Sequence, residues 1–591
     1  MIVLIYFIGL FLLYLYLRSV EKRYESLYVI AYNFVIVALI FLLNSLSSQD
    51  SSSFLEIFLT SIYRAPEAMT FQGDTDGISP QGVFVMFMAS VLTLGAVVYL
   101  FFYQAIMRFI IRARIFRSKE VYVIIGSKDD AQALIDDVKK DAPFVPIVFI
   151  DGNVPDSPEE IDEQPIRGAF QASREYIASF NKNKSYTVVL LPAANNSNIT
   201  WLHDLNTIGS KVSGLKVTAF LDNVLMRHMD LKYENIDAYL VSKEGLIIRT
   251  FMQNHLPIKY LIDKDLYVTK KHIKVATRPF YVGIVGFNSL SLEFLLSSYE
   301  NSGIEVKDSD AWGLKALIFD NNRKVKKAEL LQDIPFFQKE KGIRFSKAKP
   351  GTEDFFDIME KDAANFDQLF ISLGSTEENV HMAMRLIRMY HRLGNDVKRP
   401  QLIVVLHDRA NGSIKLLSRE KDVFFLQDNS SLYSYEDLIC RRIDNAARAL
   451  HGQYSAESKS EEKWSQIGTF LQQSNRAVIM DVPNKKVLLD RYELSGMNDE
   501  EKETAYWKMA RYEHRRWNAF HYTHGWTRLP VNELTAEERE NFVTKHSDEK
   551  RHICLIPWEG LDDLPQKEPG IIKKYDYDNV KRLFASEEAN R

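Results

Sequence analysis

Cysteine is nearly absent: Cys440 and Cys554 are the only two in 591 residues. That excludes a disulfide scaffold or a cysteine-built metal cluster and suits a reducing compartment. Charge of one sign is lacking as well, since 74 Lys and Arg face 78 Asp and Glu for a net charge of -4. A nucleic-acid duplex is therefore not an expected partner. The first residues carry no basic n-region, so no cleavable signal peptide is expected. Catalytic signatures are missing too. There is no HExxH, Glu513 and His514 are adjacent and so diverge on a helix, and no nucleophile stands beside a base. No catalytic residue and no metal site are expected, and the chain does not read as an enzyme. Its length is too great for one core and implies several domains.

Long apolar runs are present, and they come first. Met1 to Leu17, Leu27 to Leu46 and Val83 to Phe102 are each long and apolar enough to cross a bilayer as a helix. Arg18, Lys22 and Arg23 lie between the first two, and Arg108, Arg112, Arg114, Arg117 and Lys119 follow the third with no acid before Glu120. Basic flanks mark cytoplasmic ends, so three crossings are expected, with the N-terminus outside and everything after Lys119 inside. The segment between the second and third runs holds an amphipathic stretch, Phe54 to Tyr63, too short to cross. Arg64 to Asp74, Pro80 and Gly82 follow it. In placement and length this resembles the re-entrant pore loop of potassium channels. Gly73, Asp74, Pro80 and Gly82 match that pattern, while Met69, Thr70, Phe71 and Gln72 stand where the filter's Thr-Val-Gly-Tyr would be. Phe71 replaces a glycine whose positive φ turns carbonyls toward the ion, so the resemblance implies a pore of altered selectivity lined by Met69 to Asp74. Gly95 lies mid-helix, where a gating hinge and a close-packing site are both open readings.

Beyond Lys119 the pattern changes to alternating strands and helices. Val121 to Gly126, Pro146 to Ile150, Thr187 to Leu191 and Val217 to Phe220 form one series. Tyr281 to Gly286, Ala316 to Asp320, Leu369 to Gly374 and Gln401 to Leu406 form a second. Such alternation predicts two doubly wound parallel sheets of Rossmann type, over residues 120–270 and 275–433. A dinucleotide fingerprint needs three glycines and a terminal acid. The first copy keeps Gly126 alone and crowds acids behind it. The second keeps Gly286, with Asn288 and the strand-end Asp320 as the remaining nucleotide-binding candidates. Tandem units of this kind after a pore helix resemble the regulator-of-potassium-conductance domains that form gating rings, which implies a tetramer or a dimer of dimers. The lost glycines argue against a membrane-tethered NAD-dependent oxidoreductase.

Residues 434–591 read as mainly helical and hold the densest aromatic and basic constellation. It comprises Ala510 to Asn518, Gly525-Trp526 and Leu555 to Glu559. This resembles a bacterial-type ryanodine receptor domain: Glu513, His514, Arg516, Trp517, Gly525, Trp526, Pro557 and Trp558 all match its motifs. Glu513, Arg516 and Trp517 share one helical face. Trp517, Trp526 and Trp558 beside Arg476, His514 and Arg516 suit a purine and its phosphates. An equally open reading makes the tryptophans core and Glu513–Arg516 a buried bridge. On the first reading Arg516→Gln weakens ligand binding with little change in stability. The whole therefore reads as a membrane domain over residues 1–119 followed by three cytoplasmic domains. It is expected to be an inner-membrane, homo-oligomeric ion channel opened by a nucleotide-like ligand, an adenine nucleotide or a cyclic derivative. The alternative is a non-conducting membrane-anchored sensor or scaffold, or a membrane-disrupting antiviral effector.

Overall fold

The computed structural model describes residues 6, 25–47, 54–69, 78–152, 166–192, 197–212, 214–394, 396–407, 417–427, 432–458, 463–489 and 491–589. The chain divides into two units, Met1–Ser118 and Lys119–Arg591.

Among the described residues the first unit contains the helices α1 (Glu25–Ser47), α2 (Phe54–Met69) and α3 (Pro80–Arg117). Among the described residues two helical segments are long and apolar enough to cross a membrane, Tyr28–Leu46 and Pro80–Val97. The expected first crossing lies outside the described residues except for Tyr6, and so do Thr70, Phe71, Gln72, Gly73 and Asp74 of the expected filter. Apolar side chains face outward as well as inward: Val35, Leu39 and Leu43 on α1 and Phe84, Phe87, Val91 and Leu94 on α3 are exposed. That is the pattern of a surface meeting hydrocarbon. The helices are tied by polar contacts. Asn33 Nδ2 donates to Thr93 Oγ1 at 3.1 Å, and Ser90 Oγ donates toward the Ala68 carbonyl at 2.8 Å. Such bonds between apolar helices help set which faces meet. Met69 is buried with Val85, Met86 and Ala89 at the end of α2. A Cβ at Gly95 would meet nothing within 4 Å among the described residues.

The second unit holds two six-stranded sheets. The first contains β1 (Glu120–Gly126), β2 (Ile147–Asp151), β3 (Phe170–Ala172), β4 (Ser185–Leu190), β5 (Lys216–Phe220) and β6 (Asp237–Val241). A hairpin, β7 (Tyr267–Lys270) and β8 (Ile273–Ala276), leads to the second, which contains β9 (Phe280–Val285), β10 (Leu314–Phe319), β11 (Ile343–Phe345), β12 (Gln368–Ile371), β13 (Gln401–Leu406) and β14 (Val423–Gln427). The strand orders are β3-β2-β1-β4-β5-β6 and β11-β10-β9-β12-β13-β14, with every pairing in them parallel. Both are Rossmann orders. The central strands are largely apolar because helices cover both faces; β9 is buried at every position.

Eight helices of this unit bear on the argument. They are α4 (Lys128–Asp141), α5 (Lys243–Met252), α6 (Ser289–Glu300), α7 (Arg442–Ser458), α8 (Thr469–Met480), α9 (Val482–Leu488), α10 (Asp499–Thr523) and α11 (Ile571–Ala589). α10 starts at a capping box: Asn498 Oδ1 accepts from the Glu501 backbone N–H at 3.0 Å, and the Glu501 carboxylate accepts from the Asn498 N–H at 2.9 Å. Its Trp517 packs on a local cluster of Leu529, Ile553, Ile556 and Leu561, but its long apolar face is covered by another domain. Tyr506, Met509, Tyr512 and Ala519 of α10 share one apolar cluster with Phe294, Leu295 and Tyr299 of α6 and with Tyr577 and Phe584 of α11. The entry to the helical region is held by the first sheet instead: Tyr433, Leu438 and Ile439 pack with Ile124, Phe149 and Tyr239, and Thr218 Oγ1 donates to the Leu438 carbonyl at 2.8 Å.

Each large apolar side chain removed from water contributes roughly 1.5–3 kcal/mol. A fragment comprising residues 434–591 alone therefore exposes the α10 face and loses several such terms. Expressed alone it is expected to bind a hydrophobic dye and to lack a cooperative thermal transition. A sharp transition with no dye binding contradicts the shared core.

Candidate functional site

Among the described residues both glycine loops carry carboxylates where a phosphate would lie. In the first copy Ser127 caps α4 and its hydroxyl donates to Asp130 at 2.9 Å, while Asp129 and Asp130 already place negative charge on the helix start. In the second, Gly286 has φ +87, and a Cβ there would lie 2.1 Å from the Ser372 carbonyl oxygen, so only glycine fits. The neighbouring groups, however, are committed. Asp320 accepts from the Phe287 N–H at 2.8 Å and from the Asn322 N–H at 2.7 Å, and Asn288 is spent on capping α6 and on Ser372. A carboxylate on the amide that would meet a pyrophosphate repels it. Gly286, Asn288 and Asp320 do come together, but they bond to the protein rather than presenting open donors.

The aromatic and basic constellation divides into three places. Glu513 and Arg516 are buried in α10. Arg516 Nε lies 3.2 and 3.0 Å from the two Glu513 oxygens and its Nη2 2.8 Å from Oε1. Lys485 of α9 reaches Glu513 at 2.7 Å and Asp481 at 2.8 Å, and the Tyr512 hydroxyl donates to Asp481 at 2.6 Å. Two cations thus neutralise two carboxylates in a closed network. Burial alone would raise the Glu513 carboxyl, but Arg516 and Lys485 overcome it and hold it at about 2. The face that helical spacing assigns to a ligand is turned into the protein. His514 lies elsewhere, with Nε2 2.9 Å from the Ile556 carbonyl and Nδ1 3.3 Å from Asp576. Trp517 packs on His521 with ring centres 3.8 Å apart, and buried Trp526 stacks on Phe470 at 5.0 Å. Trp558 is half-buried under the Lys573 ammonium, 5.2 Å from its ring centre. Trp526 is core, and Trp517 and Trp558 pack half-buried against the cluster of Leu529, Ile553 and Ile556.

Arg476 belongs with none of these. It lines a cavity of about 410 Å³ where the edge of the first sheet, α6 of the second α/β domain and the helices α7, α8 and α10 converge. Asn223, Arg227, Tyr239 and Arg249 enter it from the first domain, Glu293 and Glu300 from α6, and Arg442, Gln473, Thr523 and His524 from the helical region. Behind its wall Arg476 Nε donates to Asp444 at 2.9 Å, with the guanidinium 4.7 Å from the Tyr239 ring centre. Arg448 grips Asp237 through two bonds of 2.9 and 2.7 Å, and Arg441 lies 3.4 Å from the same carboxylate. Arg227 pairs with Glu293 across the cavity rim. Arg249 Nη1 donates to the Tyr239 hydroxyl at 2.9 Å, whereas its Nη2 is buried without a hydrogen bond, 4.0 Å from the Asp437 carboxylate. Asn223 Nδ2 and Gln473 Oε1 are orphaned in the same way. Unmet polar atoms around a concavity of this size mark a site built for something polar.

Glu300 is the titrating group of the cavity. Burial raises its carboxyl to about 7; neighbouring Glu293 pushes the same way, and the Thr523 hydrogen bond, Arg227 and Arg516 oppose it. Of the cavity residues only Arg476 is among the ligand-binding candidates read from the sequence. The others are single residues from distant segments. The one local signal is Arg249, a lone cation in the apolar stretch Gly245-Leu-Ile-Ile-Arg249.

No protein-family model matches the sequence, and no curated protein matches it. Among solved structures the chain is similar to an apo-structure of D-lactate dehydrogenase from Escherichia coli, at 12% identity over 57% of this chain and 97% of that one with a TM-score of 0.21. It is also similar to an L-alanine dehydrogenase, at 11% identity over 43% of this chain and 65% of that one with a TM-score of 0.16. Scores this low carry nothing beyond the α/β character that the two sheet orders establish by themselves.

Two outcomes follow from the charges. Arg516→Gln leaves Glu513 buried with Lys485 alone, and breaking a buried pair in this way costs about 3–5 kcal/mol. Contrary to the expectation drawn from the sequence, the variant should melt well below the parent chain; an unchanged melting curve refutes the network's structural role. Glu300 gives a pH signature. Between the ordinary carboxyl value of 4.5 and about 7 the folded chain holds a proton that the unfolded chain has released. Its stabilisation is complete below 4.5 and is lost as the pH rises through 7. Glu300→Gln removes the titration, so from about pH 5 to about pH 8 the parent should lose about 1–3 kcal/mol relative to the variant in urea unfolding. Parallel pH profiles would place Glu300 in water.

Proposed function

We propose that this chain is a subunit of a homo-oligomeric, ligand-gated ion channel of altered selectivity, opened from the cytoplasm by a nucleotide-like ligand. The observation that carries the reading is the cavity around Arg249 and Arg476, where three modules of the soluble unit meet and leave polar atoms unmet. A ligand held there favours whichever arrangement of the modules fits it and shifts the equilibrium by its difference in affinity for the two arrangements. The chain supplies a short route to the membrane, because only Ser118 and Lys119 separate α3 from β1. A movement of β1 therefore acts on a helix long and apolar enough to span a bilayer. In this reading the unit after Lys119 is cytoplasmic, the subunits form a tetramer or a dimer of dimers in the inner membrane, and the ligand is an adenine nucleotide or a cyclic derivative. A pore opened by a nucleotide messenger would depolarise the membrane, as an antiviral effector does.

Phe71, standing where a potassium filter has glycine, favours a second reading, in which the protein is a membrane-anchored sensor or scaffold that conducts nothing. Recording in reconstituted bilayers separates the two. Ligand-dependent current steps are expected. Asp74→Asn should reduce cation current most at low salt, because a ring of carboxylates at a pore mouth concentrates cations by a field that salt screens. Silence under every nucleotide leaves the anchored sensor.

A further inference from the structure

We infer that the junction cavity binds a mononucleotide-type ligand, with its oxyanion on Arg249, Arg442 and Asn223 and the donor edge of its ring on Gln473 and Glu300. This assignment rests on the ligand-gated reading above and gives its site and chemistry. Donors and acceptors are segregated by element. The donors come from the first α/β domain and the start of α7. Arg249 Nη2, whose nearest carboxylate is Asp437 at 4.0 Å, and Asn223 Nδ2 belong to lining residues and make no hydrogen bonds, and Arg442 is exposed with no partner among the described residues. Behind them Arg441, Arg448 and Arg476 face only Asp237 and Asp444, so the wall carries one cation in excess before Arg442 is counted. A guanidinium with an unused edge and an unpaired neighbour suits an oxyanion.

The acceptors come from other modules. Gln473 Oε1 of α8 is orphaned, and the Glu300 carboxyl of α6 holds a single hydrogen bond, from Thr523. An amine or amide N–H on the ligand satisfies both without a charge. The rest of the lining is apolar and deformable, with Met226, Met252, Met480, Leu296 and Phe520. Such a surface suits a planar heteroaromatic ring, since thioethers adapt to flat faces. An inorganic anion leaves that apolar wall and both acceptors unmet. A mononucleotide has the oxyanion, the ring and the ring N–H groups in one molecule, at a size that a cavity of about 410 Å³ admits. Because its two ends meet different modules, occupancy ties the first α/β domain to α6 and α8.

The test uses the full-length chain in detergent micelles and calorimetric titration with inorganic phosphate, the 5′-mononucleotides and their 3′,5′-cyclic forms. At least one mononucleotide is expected to bind at least tenfold more tightly than phosphate. Arg442 is unpartnered, so Arg442→Gln should leave the melting curve unchanged and weaken nucleotide and phosphate alike by about tenfold, the loss of one charge-assisted contact. Gln473→Leu should weaken the nucleotide and leave phosphate untouched. The inference is overturned if no mononucleotide binds the folded chain, or if a nucleotide binds both variants as tightly as the parent. Failure of the channel reading looks different: nucleotide binding with both variant effects intact, in bilayers that stay silent.

Discussion

The packing of α5 against α6 sets where the rest of the second unit can sit. These helices belong to successive α/β domains, and α5 carries Ile247, Ile248, Phe251 and Met252 out of the first domain into the apolar cluster of the second. Once that contact is made, the edge strand β6 and the N-terminal half of the second domain lie side by side, and α10 completes the cluster from the far end of the chain. Ala505, Met509, Ala510 and Ala519 are wholly buried along α10, and small side chains there let helices approach closely. The cavity follows from this. Three bodies of convex helices meeting at one line cannot fill the space between them with their own side chains. What remains is lined by the polar residues at their margins, because the apolar ones have been used in the contact.

The buried charges serve the same geometry. Asp481, Lys485, Glu513 and Arg516 join α9 to α10, while Asp237, Asp444, Arg441, Arg448 and Arg476 join β6 to α7 and α8. A buried ion network adds little stability over an apolar one but penalises wrong arrangements, because any slip strands a charge. The two networks therefore act as register pins on either side of the cavity. Only the first is neutral. The second holds a surplus guanidinium, and burial accordingly lowers the Arg441 pKa against the pull of Asp237 and Asp444. A surplus cation kept at a cavity wall is stable only with an anion to meet it or with water reaching it.

The two sheets were legible in the sequence because a strand covered on both faces is an uninterrupted apolar run. Val121 to Gly126 and Tyr281 to Gly286 need no partner to be recognised. The edge strand β3 was missed because Phe170–Ala172 is short and only partly covered, so it has neither length nor period. The placement of Glu513 and Arg516 was ambiguous for a different reason. Spacing puts them on one face of α10 but says nothing about which way the face turns, and the residue that decides it, Lys485, lies on another helix. Motif reading found the densest cluster of aromatic and basic residues, but density is equally the mark of a well-packed helical core. The cavity has no motif at all. Asn223, Arg249, Glu300, Arg442 and Gln473 become neighbours only after α5, α6 and α8 have packed.

A dinucleotide-binding Rossmann domain places its ligand at the switch point, where the strand order reverses and loop amides are open. Here, among the described residues, the chain's own carboxylates stand at the glycine loops, Asp130 beside Ser127 in one domain and Asp320 on the Phe287 amide in the other. That placement has a consequence for any signalling role. A ligand at a switch point touches one domain and can stiffen it, but it gains nothing from the position of a second. A ligand at the junction of β6, α6 and α8 touches groups whose separation depends on how the domains are set. Only such a ligand has a free energy that differs between two arrangements of the unit, and that difference is what a conformational switch requires. In the ligand-gated reading proposed above, the orphaned polar atoms at the junction, rather than the glycine loops, are therefore the place where a ligand would act on the arrangement of the domains.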